Sequence, residues 1–256
     1  GTSFNTFFSV EDDCLIIIHP PETNNFDSFL KIISNYIDEF SLKKINIITG
    51  HINPKIVATI KKIKNYFNNV ILTSSVPGNK LICELWEQKK PGEKDELSVS
   101  LPDIEVIKKE VILEFKNNTF QLIPAPTARW PGGLIVFEKN DGYLFSEKLF
   151  SCHIASEDWS ENNRISTESD RKHFYNCLMA PMSSQITSLS EKVSEFDIKC
   201  IAPLHGPAIE YSLKSFLNDY IRWGENLSIN RPKVALIYAS AYGNTASIGD
   251  ALAKGI

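Results

Sequence analysis

The chain has 256 residues, 43% of them hydrophobic and 23% charged, with a formal net charge of −4. That balance excludes a disordered, collagen-like or coiled-coil chain, and nothing global asks for nucleic acid or an anionic membrane. Five scattered cysteines without a CxxC pair fit a reducing cytosol rather than a disulfide framework, and no apolar run approaches the ~20 residues of a membrane span.

The first segment reads as strands at Phe7–Val10 and Cys14–Ile18, on either side of the turn-like Glu11-Asp12-Asp13. Apolar residues at helical spacing then predict a helix over 26–40. A short buried strand follows at 45–48, and Pro54 suits the first turn of a helix running to about 68. Another strand lies at 70–73. This β-α-β-α-β alternation marks a layered α/β domain.

The middle changes character. A charged loop over 89–95 precedes four short strands at 110–115, 119–123, 133–137 and 142–145. Helix returns over 170–196, a strand over 199–202, and an amphipathic helix over 212–227. The order α/β, then β-rich, then α/β predicts two packed sheets with helices outside. A boundary falls at 228–232. After it, 233–238 reads as a strand apolar on both faces, and 246–256 as the start of a helix.

Between them lies Ser240-Ala241-Tyr242-Gly243-Asn244-Thr245. A buried strand that runs through hydroxyl and glycine residues into a helix aims backbone N–H groups at an anion, usually phosphate. It is neither a Walker A loop nor GxGxxG. An ordinary strand-to-helix turn is the alternative.

Here the chain resembles a known family. Tyr238 to Thr245 looks like the phosphate loop of flavodoxins, which holds the FMN phosphate. Upstream, Ala202-Pro203-Leu204-His205-Gly206-Pro207 followed by an amphipathic helix resembles the flavodiiron proteins, or A-type flavoproteins. Further matches are Gly1-Thr2-Ser3-Phe4-Asn5 and Leu144-Phe145-Ser146 with Phe150. Asp170-Arg171-Lys172-His173-Phe174-Tyr175 with Leu178-Met179-Ala180-Pro181 is similar to the cyanobacterial-type branch.

The resemblance implies an αββα metallo-β-lactamase-like domain over 1–228, a linker over 229–232, and over 233–256 the first βα unit of a flavodoxin-like domain. Family members carry further strands before the Gly1 to Asn5 match, so one sheet edge is expected to stand open. The family reduces dioxygen to water, or reduces nitric oxide, with electrons passed through FMN. Ser240, Tyr242, Gly243, Asn244 and Thr245 are then FMN contacts in the parent protein. The fragment, lacking the later flavin loops, is expected not to bind FMN.

The family holds two irons through a His-x-Glu-x-Asp run, a His before an aromatic-Pro pair, an Asp after a Phe-Ser strand end, and a His in His-Gly-Pro. Matched position by position, this chain has His51, Asn53, Lys55, Arg129, Lys148 and His205. No carboxylate remains, and Lys55, Arg129 and Lys148 bring a formal +3 where the family brings −3. Cations 4–6 Å apart repel by several kcal/mol at a dielectric of about 20, so a di-iron centre is expected to be absent.

Asp158 or Glu147 is expected to pair with one of these cations. His153 reads as a pocket-wall residue, His19 as a structural strand end, and His173 as part of an exposed face with Arg171 and Lys172. Cys83, Cys152, Cys177 and Cys200 read as core packing. Trp130 either stacks on a flavin or simply packs.

Two functions follow from the resemblance and the altered site. In the first, the chain is a flavin-bearing or regulatory partner in a head-to-tail homo- or hetero-dimer with a flavodiiron subunit. It then works in the cytoplasm with NAD(P)H or a small reduced carrier as electron donor. In the second, it is a non-redox module whose basic pocket binds chloride, sulfate or phosphate. Metal-dependent hydrolysis is disfavoured because the His-x-His-x-Asp-His zinc run is missing.

Overall fold

The computed structural model describes residues 2–11, 14–36, 44–88, 99–161, 164–225 and 234–255, with only the backbone at 164–166. Ten strands form two five-stranded sheets. The first is ordered β1 (Phe7–Val10), β2 (Cys14–Ile18), β3 (Lys44–Ile48), β4 (Val70–Ser75), β5 (Asp103–Ile107). Its strands β2 to β5 run parallel, and β1 closes one edge antiparallel to β2.

The second sheet is ordered β10 (Cys200–Pro203), β9 (Tyr143–Glu147), β8 (Leu134–Glu138), β7 (Thr119–Pro124), β6 (Val111–Glu114). Strands β6 to β9 form an antiparallel meander, and β10 adds parallel to β9.

Side-chain alternation explains the layering. On β2, Cys14, Ile16 and Ile18 face Phe120, Leu122, Leu134 and Val136 of the second sheet. Leu15 and Ile17 point the other way, onto helices α1 (Phe26–Ile33), α2 (Pro54–Tyr66) and α3 (Val76–Glu87). On the second sheet, Ile123, Ile135, Phe137 and Leu144 face the helical layer of α4 (Arg164–Phe174), α5 (Ser183–Ser194) and α6 (Leu213–Glu225). Both sheets are thus buried on two faces, giving the expected αββα sandwich.

Several boundaries differ from expectation. The first helix ends at Ile33 and a turn runs to Tyr36, while 37–40 lie outside the described residues. The long helix over 170–196 is broken. A π-helical turn at Tyr175–Met179 and a 3-10 turn at Ala180–Met182 separate α4 from α5. Pro181 contributes by lacking the N–H that would continue the ladder, and the departure from helical geometry falls at Met182, with φ of −121° and ψ of 27°.

Helix α3 and strand β5 were not expected. Pro77 and Gly78 imitate a turn, but Ser75 caps the helix by accepting the Gly78 N–H at 3.2 Å. Asp103 and Glu105 disguise β5, which sits at a sheet edge where charge is tolerated.

The strand expected at 233–238 is absent at 234–238, and Lys233 lies outside the described residues. Among the described residues no neighbouring strand pairs with it, and a lone strand leaves its backbone groups to water. Ile237 is 95% exposed. Helix α7 (Asn244–Gly255) begins two residues earlier than read from sequence. The charged loop at 89–95 and the linker at 229–232 lie outside the described residues.

Candidate functional site

The candidate pocket lies where loops after β2, β3, β9 and β10 converge. Asn53 follows β3 and caps α2. Its Oδ1 accepts the Ile56 N–H at 2.9 Å. Its amide nitrogen is therefore the group facing His51 Nε2 at 3.2 Å, which makes that ring nitrogen an acceptor. Lys55, one turn further, points outward. Its ammonium pairs with Glu22 at 2.8 Å and is 55% exposed. The expectation that Lys55 lies in the pocket and pairs with Asp158 or Glu147 is corrected. As the second helical residue after the cap, its side chain leaves along the solvent face.

Arg129 is also exposed, with its guanidinium carbon 5.5 Å from the centre of the Trp130 ring. Lys148 Nζ lies 5.9 Å from the same ring. The three expected positive charges therefore do not gather, and of these three only Lys148 reaches inward.

Lys148 sits just past β9, on a turn where Glu147 and Phe150 both take positive φ, 56° and 66°. Its Nζ is 2.6 Å from His205 Nε2. The other nitrogen, Nδ1, is 2.6 Å from the Ser3 carbonyl, which can only accept. Nδ1 therefore carries the proton and Nε2 takes one from Lys148. Ser3 also accepts the Gly206 N–H on its hydroxyl, and Asn5 donates to the carbonyls of Pro203 and Gly206. Residues 3–5 thus strap down the His205 loop.

Electrostatics follow from this geometry. Burial, and then Arg129, hold Lys148 down to about 8, against the pull of Glu147 and Glu22. Burial, and then Lys148, hold His205 at about 4 and His51 at about 3. Lys148 thus opposes protonation of both rings.

Two further residues belong with the pocket: His19, read from sequence as a structural strand end, and Glu147, read as a partner for one of the cations. His19 ends β2 with φ of 56° and is 1% exposed. Neither ring nitrogen has a hydrogen-bond partner among the described residues. Burial, and then Lys148, hold it at about 3. Glu147 is buried, with Oε2 accepting the Leu134 N–H at 2.9 Å and Oε1 without a partner among the described residues. Burial raises it to about 7. The signal for His19 was a histidine closing an otherwise all-apolar strand.

His153 is exposed, edge-on to Phe174 at 4.8 Å and 5.7 Å from the His205 ring. His173 lies on the exposed face, but Arg171 on the same helix is 1% exposed. Cys177 is exposed and Cys83 half-buried, so neither is a core residue, whereas Cys152 and Cys200 are buried. Trp130 packs against the core of the second sheet and its helices.

As a di-iron site these residues do not fit. His51 and His205 turn their Nε2 lone pairs to an amide and an ammonium. Glu147 gives one oxygen to a backbone N–H. Among the described residues no group of three or more His, Cys, Asp or Glu could hold a metal ion.

The second candidate site is the loop before α7. Ser240, Tyr242, Gly243, Asn244 and Thr245 are all exposed. Gly243 takes φ of +83° with open space where a Cβ would be, and the helix starts at Asn244. A left-handed glycine ahead of free helical N–H groups is a fit for a phosphate. Among the described residues no helix is long and apolar enough to cross a membrane.

Comparison with known proteins agrees with this architecture. The model of the ODP family of beta lactamases matches residues 2–206. Diflavin flavoprotein A 4 of Synechocystis is 29% identical over the whole chain, and diflavin flavoprotein A 5 of Nostoc 30%. The chain spans only 41% and 43% of those relatives. The Flv1 flavodiiron core of Synechocystis superposes on the whole chain with a TM-score of 0.79 at 27% identity, covering 61% of that structure. A β-lactamase-like sandwich collinear with flavodiiron cores from end to end places this chain in the ODP beta-lactamase family, among the flavodiiron proteins.

Proposed function

We propose that this chain is part of a flavodiiron-type flavoprotein that carries FMN but houses no iron in its own pocket. Residues 1–228 form the β-lactamase-like domain, 229–232 a linker, and 233–256 the opening of the FMN domain. Ser240, Tyr242, Gly243, Asn244 and Thr245 hold the FMN phosphate in the whole protein, through backbone N–H groups and hydroxyls at the start of α7. FMN, when bound, supplies electron transfer in steps of one or two electrons.

In this reading the chain serves as a flavin-bearing or regulatory partner. In a head-to-tail dimer its flavin serves the intact metal pocket of a flavodiiron subunit, where dioxygen or nitric oxide is reduced. NAD(P)H or a small reduced carrier supplies the electrons, in the cytoplasm. The observation that supports this most is the Lys148–His205 contact of 2.6 Å, which puts an ammonium where a metal would need a lone pair. The test is iron and flavin analysis of the full-length protein, with NAD(P)H-linked dioxygen uptake measured with and without a flavodiiron partner. Stoichiometric iron, or uptake by this protein alone, refutes the division of labour.

A second reading is favoured by the same pocket. Lys148 and the N–H groups of His19 and His51 suit a small anion such as chloride, with sulfate or phosphate less well matched to one inward cation. Calorimetry with the three anions tests it; no heat from any of them excludes it.

A further inference from the structure

Lys148, His205 and Ser3 stand in the order of a nucleophile, a base and the group that orients the base. Lys148 Nζ is 2.6 Å from His205 Nε2, and His205 Nδ1 is 2.6 Å from the Ser3 carbonyl. This is the recurring geometry of an activated nucleophile. An amine becomes nucleophilic when it is desolvated, and Lys148 meets that condition through burial, which outweighs the pull of Glu147 and Glu22.

Lys148 also lines a small cavity beneath Trp130, walled by Ile135, Leu149, Met179 and Ile186. Its volume is about 20 Å³, room for one or two water-sized guests. Met179 is brought to this wall by the π-helical turn at Tyr175–Met179, a feature frequent at functional sites. Thr127, Ser146 and Glu147 complete its wall, and a cavity of this size admits a small neutral molecule and excludes a sugar, a nucleotide or a long-chain aldehyde.

The pocket is also short of an acceptor. Whichever tautomer His19 takes, it has one N–H, and that N–H is buried without a partner among the described residues. His51 accepts on Nε2, so its proton sits on Nδ1. A carboxylate carried on Lys148 would set an anion against His19, the buried ring whose protonation Lys148 now opposes. Glu147 and Glu22 are the acidic groups whose charges act on Lys148, opposite Arg129. The histidines whose protonation Lys148 now opposes are His19, His51, His153 and His205.

We propose that Lys148 is a carboxylation site, at which the side-chain amine captures carbon dioxide as an N-carboxylate (a carbamate). The Nζ lone pair forms the N–C bond, and one C=O electron pair moves onto oxygen. An N–H proton passes to His205 Nε2. The balance is R–NH2 plus CO2 giving R–NH–CO2⁻ plus one proton, with no redox change. The product is self-consistent. Lys148 changes from cation to anion, so the charge that opposed protonation of His205 now favours it. The inference rests on the metal-free reading of this pocket and on nothing else in the proposed function.

The test uses the full-length protein, assayed for iron and then held at mildly alkaline pH, which favours the uncharged amine of Lys148. Isotopically labelled bicarbonate is added and carbon NMR recorded. One carbamate resonance per chain is expected. It should vanish in Lys148→Arg, which keeps a cation but cannot be carboxylated. It should fall at least about tenfold in His205→Gln, which removes the charged hydrogen-bond partner. Near-UV circular dichroism of each variant checks folding. If a variant unfolds, alkyl trapping of the carbamate in the unmodified chain, located by peptide mass, gives the same answer.

An iron-free protein with no carbamate, or with a resonance unchanged in Lys148→Arg, overturns this inference alone. Stoichiometric iron overturns it together with the metal-free reading.

Discussion

Two cations near the same loops meet opposite fates. Arg171 is 1% exposed, yet its guanidinium donates to Glu161 Oε2 at 3.0 Å, to the Phe150 carbonyl at 2.5 Å and to the Pro207 carbonyl at 3.0 Å. Thr167 donates to the same Glu161 oxygen. Lys148, two residues before Phe150, is half-buried and meets an imidazole, and no ion pair to a carboxylate is seen among the described residues. A planar five-donor fork that finds a carboxylate and two carbonyls is spent on structure. A single ammonium facing neutral rings stays reactive. Arg171 also clamps the two loops, since Phe150 follows Lys148 and Pro207 follows His205 by two residues each.

The largest expected effect comes from breaking the settled cation. Arg171→Met leaves Glu161 buried without its ion pair and two carbonyls without a donor. Stability should fall by about 3–5 kcal/mol in denaturant unfolding. A loss below about 1 kcal/mol would mean the clamp is not structural.

Acid sharpens the contrast next. His19, His51 and His205 have folded values near 3, 3 and 4, below the unfolded value of 6.5. Their contribution is present above pH 6.5 and is lost as pH falls through the folded values. Unfolding should therefore take up as many as three extra protons between pH 6.5 and about 4. A flat stability profile across that window contradicts their burial as neutral rings.

Lys148→Met should change stability by less than about 1 kcal/mol, because a desolvated ammonium is exchanged for an apolar chain of similar length. Its effect is electrostatic. The ring resonances of His205 and His51 should titrate at higher pH than in the parent protein. Unmoved titrations would show that Lys148 does not govern the pocket.

Asn53→Ala should remove a helix cap and a hold on His51 together, for about 1 kcal/mol. The smallest effect is at Lys55. Lys55→Ala breaks an exposed pair with Glu22 and should change stability by less than about 0.5 kcal/mol.

Much of the fold was legible because burial left a strong pattern. Cys14–Ile18 is apolar at every position, as a strand covered on both faces must be. Where local residues contradict their element, reading failed. Pro77 and Gly78 hid α3, and the acidic residues of β5 hid an edge strand. The run at 234–238 was over-read because apolar composition does not supply a neighbouring strand.

The pocket shows the same limits. His51, Lys148 and His205 were reachable through the family motifs. The direction of Lys55 was not, since it depends on Asn53 serving as the cap. His19 and Glu147 join the pocket only through turns with positive φ, which no spacing rule reports.

The strap at residues 3–5 carries a consequence for how the molecule forms. The Ser3 carbonyl that fixes the His205 tautomer lies 202 positions away in sequence. Loops of that span close late, because their entropy is recovered only after intervening segments have ordered. Until the strap docks, His205 is free to place its proton on either nitrogen, and Lys148 has no fixed acceptor. The His205 tautomer is therefore held by a long-range contact, and removing residues 2–5 is expected to free it, which nitrogen NMR of the imidazole would show.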